Sequence, residues 1–282
     1  MTSRRPYPSD LSDARWALIA PTLTAWRDER LAARAAAGVH VSDPTTSLRD
    51  IFNAILYVNR TGIAWKYLPH DFPPHTTVYR YFSLWAKEGI LDRLGIELTR
   101  LVRVTEGRDP EPSACVIDSQ STKTSTNVPV SRQGTDAAKK IVGTKRGIMT
   151  DTLGLLLAIT VVAAGTTDNA IGKALLTQAH ASHPTISKAW VDSGFKNAAV
   201  EHGARLGIDV EVVPRRSDKP GFHVVKRRWV VERTFGWLML HRRLARDYET
   251  RDDHAAAMIR IASIDNLARR ATGETTPTWR DA

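Results

Sequence analysis

Asp118, Asp192 and Glu232 are the residues whose type and setting could do chemistry together. Asp118 and Asp192 each close a short apolar run, Ala114 to Ile117 and Ile186 to Val191, that reads as a buried strand. In open α/β sheets the carboxyl ends of strands are where ligands bind. An aspartate there can also do no more than cap the following turn. Glu232 lies in an apolar, helix-forming stretch. At about 100° per residue, Val225, Trp229, Phe235, Gly236 and Met239 fall within about 60° of it, which aims its carboxylate at the apolar face. A buried carboxylate needs a proton, a cation or a metal. Arg228, one turn earlier, could meet that need as a plain ion pair. If the three acids converge, their hard oxygens suit Mg2+ or Mn2+, with waters and substrate phosphates completing the shell. Two such ions can activate an attacking hydroxyl and stabilise the leaving oxygen of a phosphodiester.

The charge around these acids points to a polyanion. The chain of 282 residues carries a formal net charge of +10. The balance is +3 over residues 1–109, +1 over 110–214, +7 over 215–251 and −1 over 252–282. The excess therefore gathers around Glu232. Such a stripe is the footprint of a nucleic-acid partner, or a solvated helix face. Arg227, Arg228, Arg233, Arg242 and Arg243 belong to it. Lys123, Lys139, Lys140, Lys145 and Arg146, in and near a polar stretch after the first strand, are further candidates for phosphate contacts. Trp229 and Phe235 read as core, while Trp237 points elsewhere and could stack on a base or pack in an interface.

Several function classes are excluded. Cys115 is the only cysteine, so there is no disulfide within the chain and no cysteine-rich zinc site, and a reducing cytosol is expected. His70 and His75, like His180 and His183, lack the further ligands a zinc site needs. No apolar run approaches the roughly 18 residues of a membrane span, and the N-terminus has no secretory signal. The expected location is the cytoplasm, at the nucleoid.

Two kinds of element must position the acids. Residues 1–109 read as helical. Ser12-Asp13 open one run that Pro21 interrupts, and residues 27–37 could be a helix or an arm. Ser42-Asp43-Pro44 is a break, Ser47 caps a helix that Gly62 ends, and a further amphipathic run stops at Gly89. Helix, turn and helix, with Thr76, Thr77, Tyr79 and Arg80 near the start of the second, fit a helix-turn-helix reader whose first residues face base edges. Residues 105–113 are a polar linker, and 110–282 change in pattern. Expected there are a strand to Ile117, a loop over 121–140 and a hairpin of Ile141 to Thr150 with Leu153 to Ala164. A helix over Asp168 to His180, a strand over Ile186 to Val191, a helix over Lys196 to Leu206 and a strand over Ile208 to Val213 follow. Long helices over Phe222 to Ala245 and 253–271 close the chain. This is a mixed α/β layer architecture, one sheet with helices packed on it.

At this level the chain resembles the bacterial insertion-sequence transposases of the DDE class, most of all the insertion-sequence-five group. The stretches that carry the resemblance are Asp13-Ala-Arg-Trp-Ala-Leu-Ile-Ala-Pro, Ile55-Leu-Tyr-Val-Asn-Arg-Thr-Gly, Val78-Tyr-Arg-Tyr-Phe and Val116-Ile-Asp-Ser-Gln-Ser. Asp136-Ala-Ala-Lys-Lys and Asp151-Thr-Leu-Gly-Leu-Leu-Leu-Ala follow, and Arg227-Arg-Trp-Val-Val-Glu-Arg-Thr-Phe-Gly-Trp-Leu with His241-Arg-Arg-Leu is the most specific. The resemblance implies a ribonuclease H-like catalytic fold over 110–282, preceded by a helical DNA-binding domain over 1–109. Its first, second and third acids would be Asp118, Asp192 and Glu232, holding Mg2+ or Mn2+. The implied activity is binding of an element's terminal inverted repeats in double-stranded DNA, cleavage at its ends and joining to target DNA. The need to hold two ends implies a homodimer on DNA. A related signature has Tyr seven and Arg four residues before the Glu and Lys seven after it. Arg228 fills the second place, whereas Val225 and Met239 stand at the others.

Overall fold

The computed structural model describes residues 4–40, 45–214 and 227–278. Four helices come first: α1 (Asp13–Ala36), α2 (Leu48–Thr61), α3 (His75–Lys87) and α4 (Ile90–Thr105). The Ser12 and Ser47 side chains accept the N–H groups of Arg15 and Asp50, and so start α1 and α2. Gly62, at φ 80°, takes the left-handed conformation that ends α2. α1 runs unbroken through Pro21, where the sequence suggests an interruption. Ile19, Leu23 and Trp26 are buried on either side of it, and that packing outweighs the lost backbone bond. α4 is an element that sequence reasoning left unassigned. Its apolar face is Leu91, Leu94, Leu98 and Val102.

The remaining elements are β1 (Ala114–Lys123), β2 (Gly134–Asp136), β3 (Ile141–Asp151), β4 (Leu156–Ala163), α5 (Asp168–Ser182), β5 (Lys188–Val191), α6 (Ala198–Arg205), β6 (Asp209–Val212), α7 (Trp229–Leu238) and α8 (Asp252–Thr272). β1 pairs antiparallel with β3 and parallel with β5, β4 pairs antiparallel with β3, and β6 pairs parallel with β5. The main order is therefore β4-β3-β1-β5-β6, with short β2 also on β3. The result is a mixed sheet with helices packed on it, the ribonuclease H-like fold class that the resemblance implied.

Alternation along the strands divides two cores. Val116, Ile148 and Leu156 point to a face covered by α7, α8 and the N-terminal helices. Cys115, Ile117, Met149 and Leu157 point to the other, covered by α5 and α6. The first core is one continuous cluster from Leu11 to Ala268. No helix among the described residues is long and apolar enough to cross a membrane.

Three expectations are corrected. β1 does not end at Asp118 but continues to Lys123, because β3 offers it partners as far as Gly143. The stretch 121–140 is accordingly not all loop. It holds the end of β1, a turn of 3-10 helix at Val130–Arg132, and β2. The long helix expected over Phe222 to Ala245 shrinks, among the described residues, to α7 followed by a 3-10 turn at Arg242–Leu244. Its first residues, Phe222 to Lys226 with Val225 among them, lie outside the described residues, as do Ser42-Asp43-Pro44.

Candidate active site

β5 pairs with β1 only as far as Val116. Beyond that point the two parallel strands part, and Asp118 and Asp192 stand at the opening. Each aspartate spends one oxygen on its own backbone. Asp118 Oδ1 accepts the Ser119 N–H at 2.7 Å, and Asp192 Oδ1 accepts the Gly194 N–H at 2.8 Å. The turn-capping use of aspartate is therefore real for Asp192, whereas Asp118 lies within β1. Both bonds also fix the side chains so that the second oxygens face a common point.

Glu232 is brought to that point by α7. Val231, Phe235 and Leu238 pack α7 into the first core. The Thr234 hydroxyl donates to the Gly154 carbonyl at 2.8 Å, and Arg233 donates to the Leu153 carbonyl at 3.0 Å. Both pin the helix to the β3–β4 turn, where Gly154 has φ +82°. Arg227, before α7, has φ 76°, bonds Glu211 at 3.1 Å and lies over the Trp190 ring at 4.9 Å.

The group shared by the acids is Arg228. Its Nη2 is 3.6 Å from Asp192 Oδ2, 3.9 Å from Glu232 Oε1 and 4.0 Å from Asp118 Oδ2. The guanidinium is buried, and its Nε has no hydrogen-bond partner among the described residues. The pair of Arg228 and Glu232 thus exists, but all three acids share the cation at distances longer than a hydrogen bond. Glu232 is not on the buried face as expected: its side chain is 40 % exposed, against 31 % for Asp192 and 15 % for Asp118. The buried face of α7 is Val230, Val231, Thr234, Phe235 and Leu238. Glu232 flanks it and looks into the cleft.

That cleft, about 590 Å³, is lined by the three acids together with Ser119, Gln120, Ser121, Lys139, Asp168, Ser193, Arg228 and Phe235. Burial pushes the Asp118 carboxyl up to about 6, with Asp192 and Glu232 adding to the effect against the Ser119 N–H and Arg228. Among the described residues, Arg228 is the cation within 4.0 Å of the three carboxylates, with Lys139 also lining the cleft. Such a set calls for further positive charge, and its oxygens are the donors that a hard divalent ion takes. As the side chains stand, no three His, Cys, Asp or Glu among the described residues are gathered closely enough to hold an ion. The donor set fits a divalent ion by its chemistry.

The cations expected to meet phosphate divide into two groups. Lys123, Lys139, Lys140, Arg227 and Arg242 are exposed, and Arg233 is half-buried between the rings of Trp229 and Trp237, at 4.3 and 4.5 Å. Lys145, Arg146, Arg228 and Arg243 are buried. Arg146 donates to the Leu244 carbonyl at 2.7 Å, and Arg243 to Glu249 at 2.9 Å and the Ile63 carbonyl at 2.9 Å. Lys145 donates to the Thr166 carbonyl at 2.9 Å. The charges of Lys145, Arg146 and Arg243 thus go to internal carbonyls and acids, while that of Arg228 faces the three acids of the cleft. Thr77 is half-buried and Arg80 exposed on α3. Thr76 and Tyr79 line a separate cavity of about 630 Å³ facing Ser125, Asn127 and Tyr248, which holds none of the three acids. The first turn of α3 therefore looks across at the sheet-bearing part of the chain. Sequence reasoning missed Asp168 as a cleft residue. Its signal was slight, an acid one place after Thr167 at a helix start.

A family model described as the transposase DDE domain matches residues 109–267. A second, described as a transposase of the IS4/5 family (DUF4096), matches residues 11–95. No curated protein matches the sequence. Among solved structures, the Drosophila P element transposase strand transfer complex is similar over 61 % of this chain and 42 % of that one, at 16 % identity and a TM-score of 0.31. The chain thus spans less than half the length of that relative.

Proposed function

This chain belongs to the transposase DDE-domain family, and on that premise we propose that Asp118, Asp192 and Glu232 are its catalytic acids, acting in metal-dependent cleavage and joining of DNA. The observation that carries the reading is the convergence of the three carboxylates, from β1, the end of β5 and α7, around Arg228 in one cleft. DDE transposase domains use divalent metals. The carboxylate set suits Mg2+ or Mn2+, and such an ion, when bound, polarises the phosphodiester and activates the attacking hydroxyl.

The chain's own groups supply the rest. Asp118 Oδ2, Asp192 Oδ2 and Glu232 are the oxygens turned towards the cleft, while the Ser119 and Gly194 N–H groups hold the two aspartates in orientation. Arg228 places fixed positive charge where the phosphate's negative charge develops. Lys139 at the cleft wall, with exposed Lys140, Lys123, Arg227 and Arg242, suits the flanking backbone. In this reading residues 110–282 carry the chemistry, and the helical residues 1–109 bind the element's terminal inverted repeats in duplex DNA. Two copies hold the two ends, and the reaction takes place on cytoplasmic, nucleoid DNA.

The test is incubation with Mg2+ and a duplex carrying the element's end. Wild type should release a 3′ end and join it to target DNA, and Glu232→Ala should lose at least a hundredfold in both steps, on the order of removing an interaction made in the transition state. Equal activity of the two proteins would overturn the assignment.

A further inference from the structure

A fourth carboxylate stands in the same cleft. Asp168 is the first residue of α5, whose N-cap is Thr167, and its side chain is 30 % exposed. Its Oδ1 accepts the Ser119 hydroxyl at 2.8 Å and lies 3.4 Å from Lys145 Nζ. Lys145 is buried, and it is held by the Thr166 carbonyl at 2.9 Å with Asp136 at 3.8 Å. Asp168 Oδ2 faces Gly194. A Cβ at 194 would stand 2.6 Å from that oxygen and 3.0 Å from Asp192 Oδ1. Gly194 is not among the residues with positive φ, so it is the nearness of the two carboxylates, not backbone conformation, that favours glycine there. A methyl at 194 would press on both Asp168 and Asp192.

Asp168 touches both halves of the site. On one side is Ser119, whose N–H orients Asp118. On the other is the Asp192-Ser193-Gly194 turn, whose N–H orients Asp192. Lys145, shared with Asp136, offsets part of the charge that the fourth acid brings. An acid at a helix start is also favoured by the helix dipole, but the dipole does not require contact with Ser119 or a methyl-free residue at 194. The geometry points to Asp168, paired with Lys145, as a positioning residue that sets the spacing of Asp118 and Asp192 and so the affinity of the centre for a divalent ion. This rests on the reading of those two aspartates as ligands.

The measurement is Mn2+ binding to the full metal-free chain, followed by the paramagnetic resonance of the free ion, with thermal unfolding recorded in parallel. Asp168→Ala should weaken binding by about tenfold or more, as loss of a contact behind a ligand does. Asp168→Asn should recover part of that loss, because its amide oxygen still accepts from Ser119. Gly194→Ala, which changes no charge, should reproduce the loss by forcing the two carboxylates apart. Asp118→Ala is the control for the underlying reading and should abolish binding. If Asp168→Ala and Gly194→Ala bind Mn2+ as wild type does while Asp118→Ala does not, the positioning role is wrong. If Asp118→Ala also binds normally, the assignment of the acids fails instead. Should Asp168→Ala or Gly194→Ala fail to fold, Asp168→Asn decides: weakened binding supports the role, and unchanged binding overturns it.

Discussion

Asp118 is the residue whose chemistry is most altered by its surroundings. Its carboxyl titrates near about 6 in the folded chain, chiefly through burial, against an ordinary 3.8. Between those values the folded chain binds more protons than the unfolded one. The stability this group contributes is therefore fully present below about pH 4 and is lost as pH rises through about 6. In EDTA, wild type should lose stability relative to Asp118→Asn between pH 4 and pH 7, read from paired urea unfolding midpoints. A difference that stays flat across that window would contradict the burial of the acid. At this scale the sequence was legible for residue types and blind to sharing. It offered Glu232 and Arg228 as a pair, since both lie on one helix. That Arg228 also reaches Asp118 and Asp192 depends on strands distant in sequence. Asp168 was hidden for the same reason, because its partners Ser119, Lys145 and Gly194 come from three other segments.

The helices and strands that place these residues depend on close approaches. Gly147 on β3 is one. A Cβ there would meet Ile171 Cγ2 at 2.2 Å and Leu175 Cδ1 at 3.3 Å, both on α5. Gly147→Ala should cost about 1–3 kcal/mol as an overpacked contact does, measured by urea unfolding. It should also weaken Mn2+ binding, because α5 begins at Asp168. An unchanged midpoint would show that α5 is free to shift. The order of elements after residue 110 was legible from the apolar runs, since alternation and turn residues mark strands wherever one face is buried. Two features were not. The polar residues Ser119 to Lys123 carry no strand pattern, and they are extended because β3 pairs with them. Pro21 carries a break signal that helix packing overrides.

At the scale of the whole molecule, the N-terminal helices and the sheet share a core, and α8 runs between them. Asp265 on α8 is 1 % exposed and accepts from Arg15 of α1 at 2.9 Å and from Arg269 at 3.2 Å. His241, 3.8 Å away, is pushed down to about 4 by burial and stays neutral at physiological pH. Asp265→Ala leaves the buried guanidinium groups of Arg15 and Arg269 with the part-exposed Glu274 as their remaining acid and should cost about 3 kcal/mol, the low end for breaking a buried pair. Because the core is continuous, the loss should appear in a single cooperative transition of the whole chain. A separate early transition of the N-terminal helices would contradict that continuity. The basic stripe, legible as a count of charges, divides on folding into cations that reach solvent and cations that hold the interior together, a distinction that only the packing makes.

The central claim is that Asp118, Asp192 and Glu232 hold one divalent centre. Its most direct test is a crystal of the full chain soaked in Mn2+ and examined at the manganese absorption edge. An anomalous peak bounded by oxygens of all three side chains at about 2.0–2.2 Å, close to the distances of hard-cation coordination, is expected. A peak elsewhere, or none with the acids still gathered around Arg228, would contradict it.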